Sequence, residues 1–278
     1  MASSTIYHAR SISLPSRPHP VAEQLHEQLS RLRSSLSTST SSSVNHGLND
    51  LDDLYSSVDE FLQLPVNQQS LSQTQNTKWV DQILDGSLRL LDICSASRDA
   101  LQLSRDRLQD VQSALRRRCS GELTITSEAT EYLNTRRSVK KAVKKCLKNI
   151  KPATEVKDES HATVSLLKDV QAITADTFQS LVSYIAGSQK SKWSVVAKLI
   201  SKNTNKESTF SNVFDDVDAT LNSLICHKKS GISSSQMEEL RSQILKLETE
   251  IQDVDEVLEC LFKNLVKTRA TLLNIFSY

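Results

Sequence analysis

Apolar residues recur at alternating spacings of three and four over residues 237–276 of this 278-residue chain. This heptad spacing predicts one uninterrupted helix, on the order of 60 Å long, that buries a continuous stripe of side chains. The a positions are Met237, Ile244, Ile251, Leu258, Leu265 and Leu272, and the d positions are Leu240, Leu247, Val254, Leu261, Thr268 and Ile275. Only Thr268 is polar, so the final helix is the element on which we expect the rest of the chain to pack.

The residues beside this seam favour packing within one chain over pairing of two chains. Val257 at a g position, with Phe262 and Phe276 at e positions, widens the apolar stripe beyond a two-stranded seam. In a parallel homodimer Glu250 would face Asp255 of the second chain, and these like charges oppose that assembly. We therefore predict the spine of an intramolecular bundle and a monomeric protein, with a dimeric coiled coil as the alternative.

Helix breakers are scarce and lie mostly between the apolar segments. The chain has 5 Gly and 5 Pro, and aromatic residues make up 5%, so the turn and strand signals of a β protein are missing. We predict an all-α, elongated multi-helix bundle with a long heptad-patterned C-terminal helix. Helices are expected at about 20–36, 49–63, 77–118, 128–150, 160–186 and 210–228, with a short piece at 193–200 and a final helix that Ser235 caps.

The connections between these helices are also predicted from local sequence. Residues 37–43 are expected to be a polar linker, and residues 66–76 a loop rich in Gln, Ser and Asn. Gly86 and the polar segment 95–99 allow a bend in the long third helix, and Ser127 is the expected N-cap of the fourth.

Residues 1–20 differ in composition from the rest of the chain. They are rich in Ser, Pro and Arg and contain no acidic residue, so we predict a disordered basic arm followed by a single helical-bundle domain at residues 21–278. A plastid transit peptide is the alternative interpretation of the arm. No stretch approaches the roughly 18 to 20 apolar residues of a membrane-spanning helix. The widely spaced cysteines fit reduced thiols, and we expect a cytoplasmic location, with plastid and nucleus left open.

No sequence pattern indicates an enzyme. The six histidines never pair with an acid or cysteine at metal-ligand spacing, and the chain has no HExxH motif, glycine-rich phosphate loop or GxSxG elbow. We therefore expect no catalytic residue, no metal and no cofactor; an active site assembled from distant residues is the alternative. The net charge of +1 gives no general attraction to nucleic acid.

The arm contains a short motif that suggests regulation. Arg10, Ser11, Ser13 and Pro15 match the RSxSxP pattern that phosphoserine-binding 14-3-3 proteins accept, with Ser13 as the phosphate carrier. A phosphate on Ser13 would add close to two negative charges for an arginine cluster to bind. The alternative is a Ser/Arg-rich tail that matches by chance.

A second candidate site is the basic side of the fourth predicted helix. Its cations are Arg136, Arg137, Lys140, Lys141, Lys144, Lys145, Lys148 and Lys151. Residues 136–151 contain no acidic residue, and their apolar side makes this a basic amphipathic helix of the kind that meets calmodulin, anionic lipid or an acidic protein surface. A solvated or internally paired face is the alternative. For internal pairing we expect this helix to pack beside the acidic half of the final helix, where Glu248, Glu250 and Asp255 flank the seam.

The chain resembles the plant-specific family of BYPASS-like proteins, whose biochemical function is unknown. The segments that carry the resemblance are Tyr7 to Pro20, Leu51 to Tyr55, Asp59 to Pro65, Leu91 to Ser95 and Thr268 to Ile275. The resemblance implies a single helical domain, a role linked to root and shoot development, an arm that belongs to the mature protein, and no catalytic residue to transfer.

These observations predict a non-enzymatic helical protein that binds other proteins, with a 14-3-3 protein as a candidate partner through phosphorylated Ser13. The alternative is a peripheral membrane or lipid-associated regulator that uses the basic helix 136–151.

Overall fold

Eight α-helices make up almost all of the chain that the structure, a computed structural model, describes: residues 19–36, 41–72, 78–117, 121–148, 162–187, 212–226 and 234–277. The helices are α1 (Pro20–Ser35), α2 (Ser41–Gln63), α3 (Pro65–Ser72), α4 (Lys78–Arg116), α5 (Gly121–Lys148), α6 (Ala162–Ala186), α7 (Val213–Cys226) and α8 (Ser234–Ser277). The predicted all-α class is confirmed. The short helical piece predicted around Trp193 lies outside the described residues.

The final helix α8 buries its heptad seam against the rest of the bundle. Every a and d residue from Leu240 to Ile275 is buried, including Thr268. Val257, Phe262 and Phe276 are half-buried and pack against the same core. The seam is therefore covered by helices of its own chain, as its wide apolar stripe predicted.

The long helix α4 carries a second heptad pattern. Its buried rows are Ile83, Leu90, Ser97, Ser104 and Val111, and Ser87, Cys94, Leu101, Leu108 and Leu115. Three serines interrupt these rows and hide the pattern in the sequence. The helix also continues through Gly86 and residues 95–99, where a bend was allowed.

Helices α4 and α8 run antiparallel along most of their length. The contacts pair rising residue numbers on α4 with falling numbers on α8, as expected for an antiparallel pair with matching heptads. They comprise the edge-to-face rings of Trp79 and Phe276 (5.5 Å between centroids), the thiol of Cys94 with the Leu258 carbonyl (3.6 Å), Arg98 with Asp255 (3.0 Å), Gln112 with Glu248 (3.2 Å), and the Leu115 carbonyl with Arg241 (2.9 Å).

The other helices cover the remaining sides of this pair. Helix α2 lies along α8, where Asp52 accepts a hydrogen bond from Asn264 at 2.8 Å. Helix α6 packs against α2 and α4. Gly86 of α4 lets α6 approach, because a Cβ atom at this position would overlap the side chain of Gln171 on α6. Helix α1 covers α2, α5 packs on α4, and α7 lies between α5 and α8.

Three helix starts and one loop differ from the predictions. Helix α8 begins at Ser234, so Ser235 lies within the helix and is not its N-cap. Helix α2 begins at Ser41, inside the predicted linker, since Val44 and Leu48 continue its buried stripe. Residues Pro65–Ser72 form α3, whose Leu71 is fully buried, where a loop was predicted. Helix α5 begins at Gly121, so Ser127 lies within the helix and is not its N-cap. In α2 and α3 a few polar residues masked the apolar positions that tertiary packing uses.

Among the described helices, none has a stretch long and apolar enough to cross a membrane.

Replacing the buried Leu247 by Ala should lower the free energy of unfolding by about 2 to 5 kcal/mol, because it removes core contacts and leaves a cavity. The matched control is Leu245→Ala, two residues away on the same helix, where the side chain is 62% exposed. That change should cost about 0.5 kcal/mol or less. Urea unfolding followed by circular dichroism measures both, and similar losses at the two positions would contradict the assigned seam.

Candidate functional site: the basic face of the fifth helix

Helix α5 is held against the bundle by its apolar side. Its apolar residues Ala129, Tyr132, Val139 and Val143 are buried, and it packs against α4, α6 and α7. Residues three and four apart lie on the same side of a helix. The cations of α5 therefore divide into an inner group beside the buried residues and an outer group that faces away from them.

Arg136 belongs to the inner group. Its side chain is 1% exposed, with Nε 3.3 Å from Asp218 of α7 and Nη2 donating a hydrogen bond to the Ile185 carbonyl at 2.8 Å. The guanidinium also lies 4.2 Å from the centre of the Phe214 ring, a cation–π contact. The prediction that Arg136 is part of a basic surface is therefore wrong, because its side chain is buried. A buried guanidinium requires an internal counter-charge, and Asp218 provides it.

Lys140 shares the same carboxylate. Its Nζ lies 2.9 Å from the second oxygen of Asp218, and its side chain is 29% exposed. Asp218 thus accepts from two cations one helical turn apart and joins α7 to α5.

The internal partner of the basic helix differs from the one predicted. We expected the acidic half of the final helix, but α7 takes that place beside α5. The acids of α8 have other partners: Asp255 and Glu259 pair with Arg98 of α4, and Glu250 accepts a hydrogen bond from the hydroxyl of Tyr184.

The outer group forms a row along α5, which we call the basic stripe. Its members are Arg137, Lys141, Lys144, Lys145 and Lys148. Lys144 is half-buried and the other four are exposed. Within the part of the chain that the structure describes, none of the five forms an ion pair, whereas Arg136 and Lys140 do. Lys151, also predicted for this surface, lies outside the described residues.

The phosphorylation motif also lies outside them. Arg10, Ser11, Ser13 and Pro15 precede the first described residue, His19. The binding of a 14-3-3 protein through Ser13 therefore stays a prediction.

A metal-binding cluster is absent from the described residues, and their buried thiol and tyrosine hydroxyls are neutral. They contain no group of three or more His, Cys, Asp and Glu side chains that could hold a metal ion. Burial raises the pKa of the Cys94 thiol to about 12, which leaves it protonated near neutral pH. Burial also raises the pKa of the Tyr55, Tyr132 and Tyr184 hydroxyls above that of a free tyrosine, so they remain neutral.

One residue of this region, Asp218, was not singled out from the sequence. Asp218 and Phe214 lie on α7, a short amphipathic helix whose buried stripe includes Phe214, Val217 and Leu221. Asp218 adjoins this buried apolar row of α7. A carboxylate at the edge of an apolar helix face was the signal in the sequence that could have indicated an internal ion pair. The sequence could not show which cation it meets, because α5 and α7 are far apart in the chain.

Asp218→Asn should lower the free energy of unfolding by on the order of 3 kcal/mol, because it leaves the buried charge of Arg136 without its counter-ion. The matched control is Asp253→Asn at an exposed position of α8, which should change stability by about 0.5 kcal/mol or less. Urea denaturation of both variants at neutral pH tests this expectation. Equal losses in the free energy of unfolding for the two variants would mean that the ion pair of Asp218 with Arg136 does not stabilise the fold.

The comparisons with known proteins concern most of this fold. A family model described as Protein BPS1 matches residues 47–275, a range that begins in α2, ends in α8 and includes the whole basic stripe. The arm, residues 1–20, precedes the match. No curated protein and no solved structure matches the chain. Since the family model spans well over half of its length, the chain belongs to the BPS1 family.

Proposed function

We propose that this protein is a non-enzymatic interaction protein whose basic stripe binds an acidic surface of another protein. The observation that carries the proposal is the division of the α5 cations. Arg136 and Lys140 are neutralised internally by Asp218, while the five members of the stripe point away from the core without ion pairs in the described part of the chain. Five like charges on one helix face favour a partner of opposite charge.

The stripe is well prepared for such a partner. The buried pair of Arg136 with Asp218, together with the buried Val139 and Val143, holds α5 in place, so binding would order only the ends of the lysine side chains. Preorganisation of this kind lowers the entropic cost of association. The spacing of Lys141 and Lys148, two helical turns apart, fits an acidic helix whose carboxylates recur every seven residues.

A second candidate is a peripheral membrane protein that uses the same basic helix on anionic lipid. Each cation near a membrane of acidic lipids contributes about 1 kcal/mol, which favours this function as well. The exposed positions beside the stripe are Ser138 and Ala142, and neither supplies the large apolar or aromatic anchor that amphipathic membrane helices insert. We therefore favour the protein partner.

Reversing the charge of the stripe tests both candidates. The variant Lys141→Glu/Lys145→Glu/Lys148→Glu should lose its partner proteins in affinity capture from plant tissue, since each substitution replaces attraction by repulsion. The matched control is Arg89→Glu/Arg117→Glu/Lys246→Glu, which changes three exposed cations elsewhere on the protein by the same total charge. The control should retain the proteins that the wild type captures, and their recovery should fall as salt is raised.

Capture of the same proteins by all three forms would contradict a role for the stripe. Flotation with phosphatidylserine vesicles separates the candidates. Vesicle binding by the wild type that only the stripe variant loses, without any stripe-dependent protein partner, would favour the membrane function.

The arm adds a phosphorylation-controlled handle to this proposal. Phosphorylated Ser13, preceded by Arg10 and followed by Pro15, has the chemistry that 14-3-3 proteins accept. Capture by a 14-3-3 protein should be lost after phosphatase treatment and in Ser13→Ala, and retained in Ser16→Ala, which alters the same arm outside the motif. Unchanged capture by Ser13→Ala would contradict the assignment of this serine.

The biological setting that we infer is plant root and shoot development, which the resemblance to the BYPASS-like proteins implies. Membership of the BPS1 family supports this inference.

A further inference from the structure

The hydroxyl of Thr268, the polar residue in the buried seam of α8, differs from those of two other threonines of the core. Within the part of the chain that the structure describes, Thr268 Oγ1 is buried and has no hydrogen-bond partner. Thr174 and Thr177 of α6 instead donate to the carbonyls of Val170 and Ile173 in their own helix, at 2.6 and 2.8 Å. A buried hydroxyl without a partner is costly, so Thr268 calls for a partner from outside its helix.

Thr268 lines a small cavity between four helices. The cavity has a volume of about 20 Å³ and is bounded by residues of α2, α4, α6 and α8. Its polar lining residues are Tyr55, Ser87, Gln171 and Thr268, and six apolar side chains complete the wall. Every lining residue except Gln171 is buried. A water molecule needs roughly 10 to 15 Å³ of such space, so the cavity has room for one.

The other two hydroxyls of the cavity have already committed their hydrogen atoms. The Thr174 hydroxyl donates to its own helix, so the Tyr55 hydroxyl, 3.1 Å away, is the donor in the contact between them. The Ser87 hydroxyl donates to the Leu84 carbonyl at 2.7 Å and accepts from Arg269 at 2.7 Å. Tyr55 and Ser87 therefore line the cavity as acceptors, each with an oxygen lone pair still to be used.

This set of groups matches the hydrogen bonding of water. A water molecule can accept a hydrogen bond from the Thr268 hydroxyl and donate its two hydrogen atoms to Tyr55 and Ser87. Buried waters typically make about three hydrogen bonds to polar groups that would otherwise lack a partner. An apolar guest would leave the Thr268 hydroxyl unpaired, and a larger polar ligand would exceed the volume of the cavity.

We propose that this cavity binds one structural water molecule, held by the hydroxyls of Thr268, Tyr55 and Ser87. The water joins α8 to α2 and α4 inside the core, and it gives Thr268 the partner that its own helix does not supply. The site lies within the bundle and is independent of the basic stripe on α5.

Magnetic relaxation dispersion of water, which counts the water molecules that stay inside a protein, tests the site on the full chain. Thr268→Val keeps the shape of the side chain without its hydroxyl and should lower the count by one. The matched control is Thr177→Val, the same change at a buried threonine whose hydroxyl is satisfied within its helix, and it should keep the wild-type count. Thr268→Ser retains the hydroxyl and should retain the water. A high-resolution crystal structure of the wild type should show this water within hydrogen-bond distance of Thr268 Oγ1.

Urea unfolding separates a hydrated cavity from a dry one. With the water in place, Thr268→Val should raise the equilibrium constant for unfolding by about fivefold or more, because a buried hydrogen bond is lost. In a dry cavity the same change would remove an unpaired hydroxyl and lower that constant. Circular dichroism establishes that each variant is folded. A crystal structure without this water, an unchanged water count in Thr268→Val, an equal loss in Thr177→Val, or a more stable Thr268→Val would overturn the proposal.

Discussion

The antiparallel pairing of α4 and α8 is the constraint on which the rest of the structure depends. Both helices carry apolar rows at heptad spacing, and their contacts run from Trp79 with Phe276 to the Leu115 carbonyl with Arg241. Two such helices bury only one side of each other, so each leaves further apolar surface to be covered. Helices α2, α5, α6 and α7 provide that cover.

Burial of charge separates the internally paired cations of α5 from its exposed ones. Arg136 and Lys140 lie where α7 brings the carboxylate of Asp218 next to α5. Their neighbours one position further along the helix point outward and meet no carboxylate of the described chain. A buried cation without a counter-ion is costly, whereas an exposed one keeps its hydration and costs little. The basic stripe is therefore available for the binding that we propose, because Arg136 and Lys140 make the internal ion pairs of α5.

Several features of α4 explain why its role was hard to predict. The serines in its buried rows appear polar in the sequence, yet the hydroxyl of Ser104 donates to the Ala100 carbonyl at 2.7 Å and that of Ser87 donates to the Leu84 carbonyl at 2.7 Å. A hydroxyl satisfied within its own helix can be buried at little cost. Gly86 similarly appears to be a breaker, but it is the position where α6 comes close. Local sequence describes these residues by their polarity, while packing uses their small size.

The sequence by itself determined the all-α class, the final helix as spine and the presence of a basic helix near residues 136–151, because helical periodicity is a local property. Only the tertiary structure decided that Arg136 is buried while Arg137 is exposed, since adjacent residues point about 100° apart on a helix with 3.6 residues per turn. It also decided that Asp218, and no acid of α8, neutralises that arginine. Such choices depend on which distant helix packs alongside, and the periodicity of one segment carries no information about its neighbour.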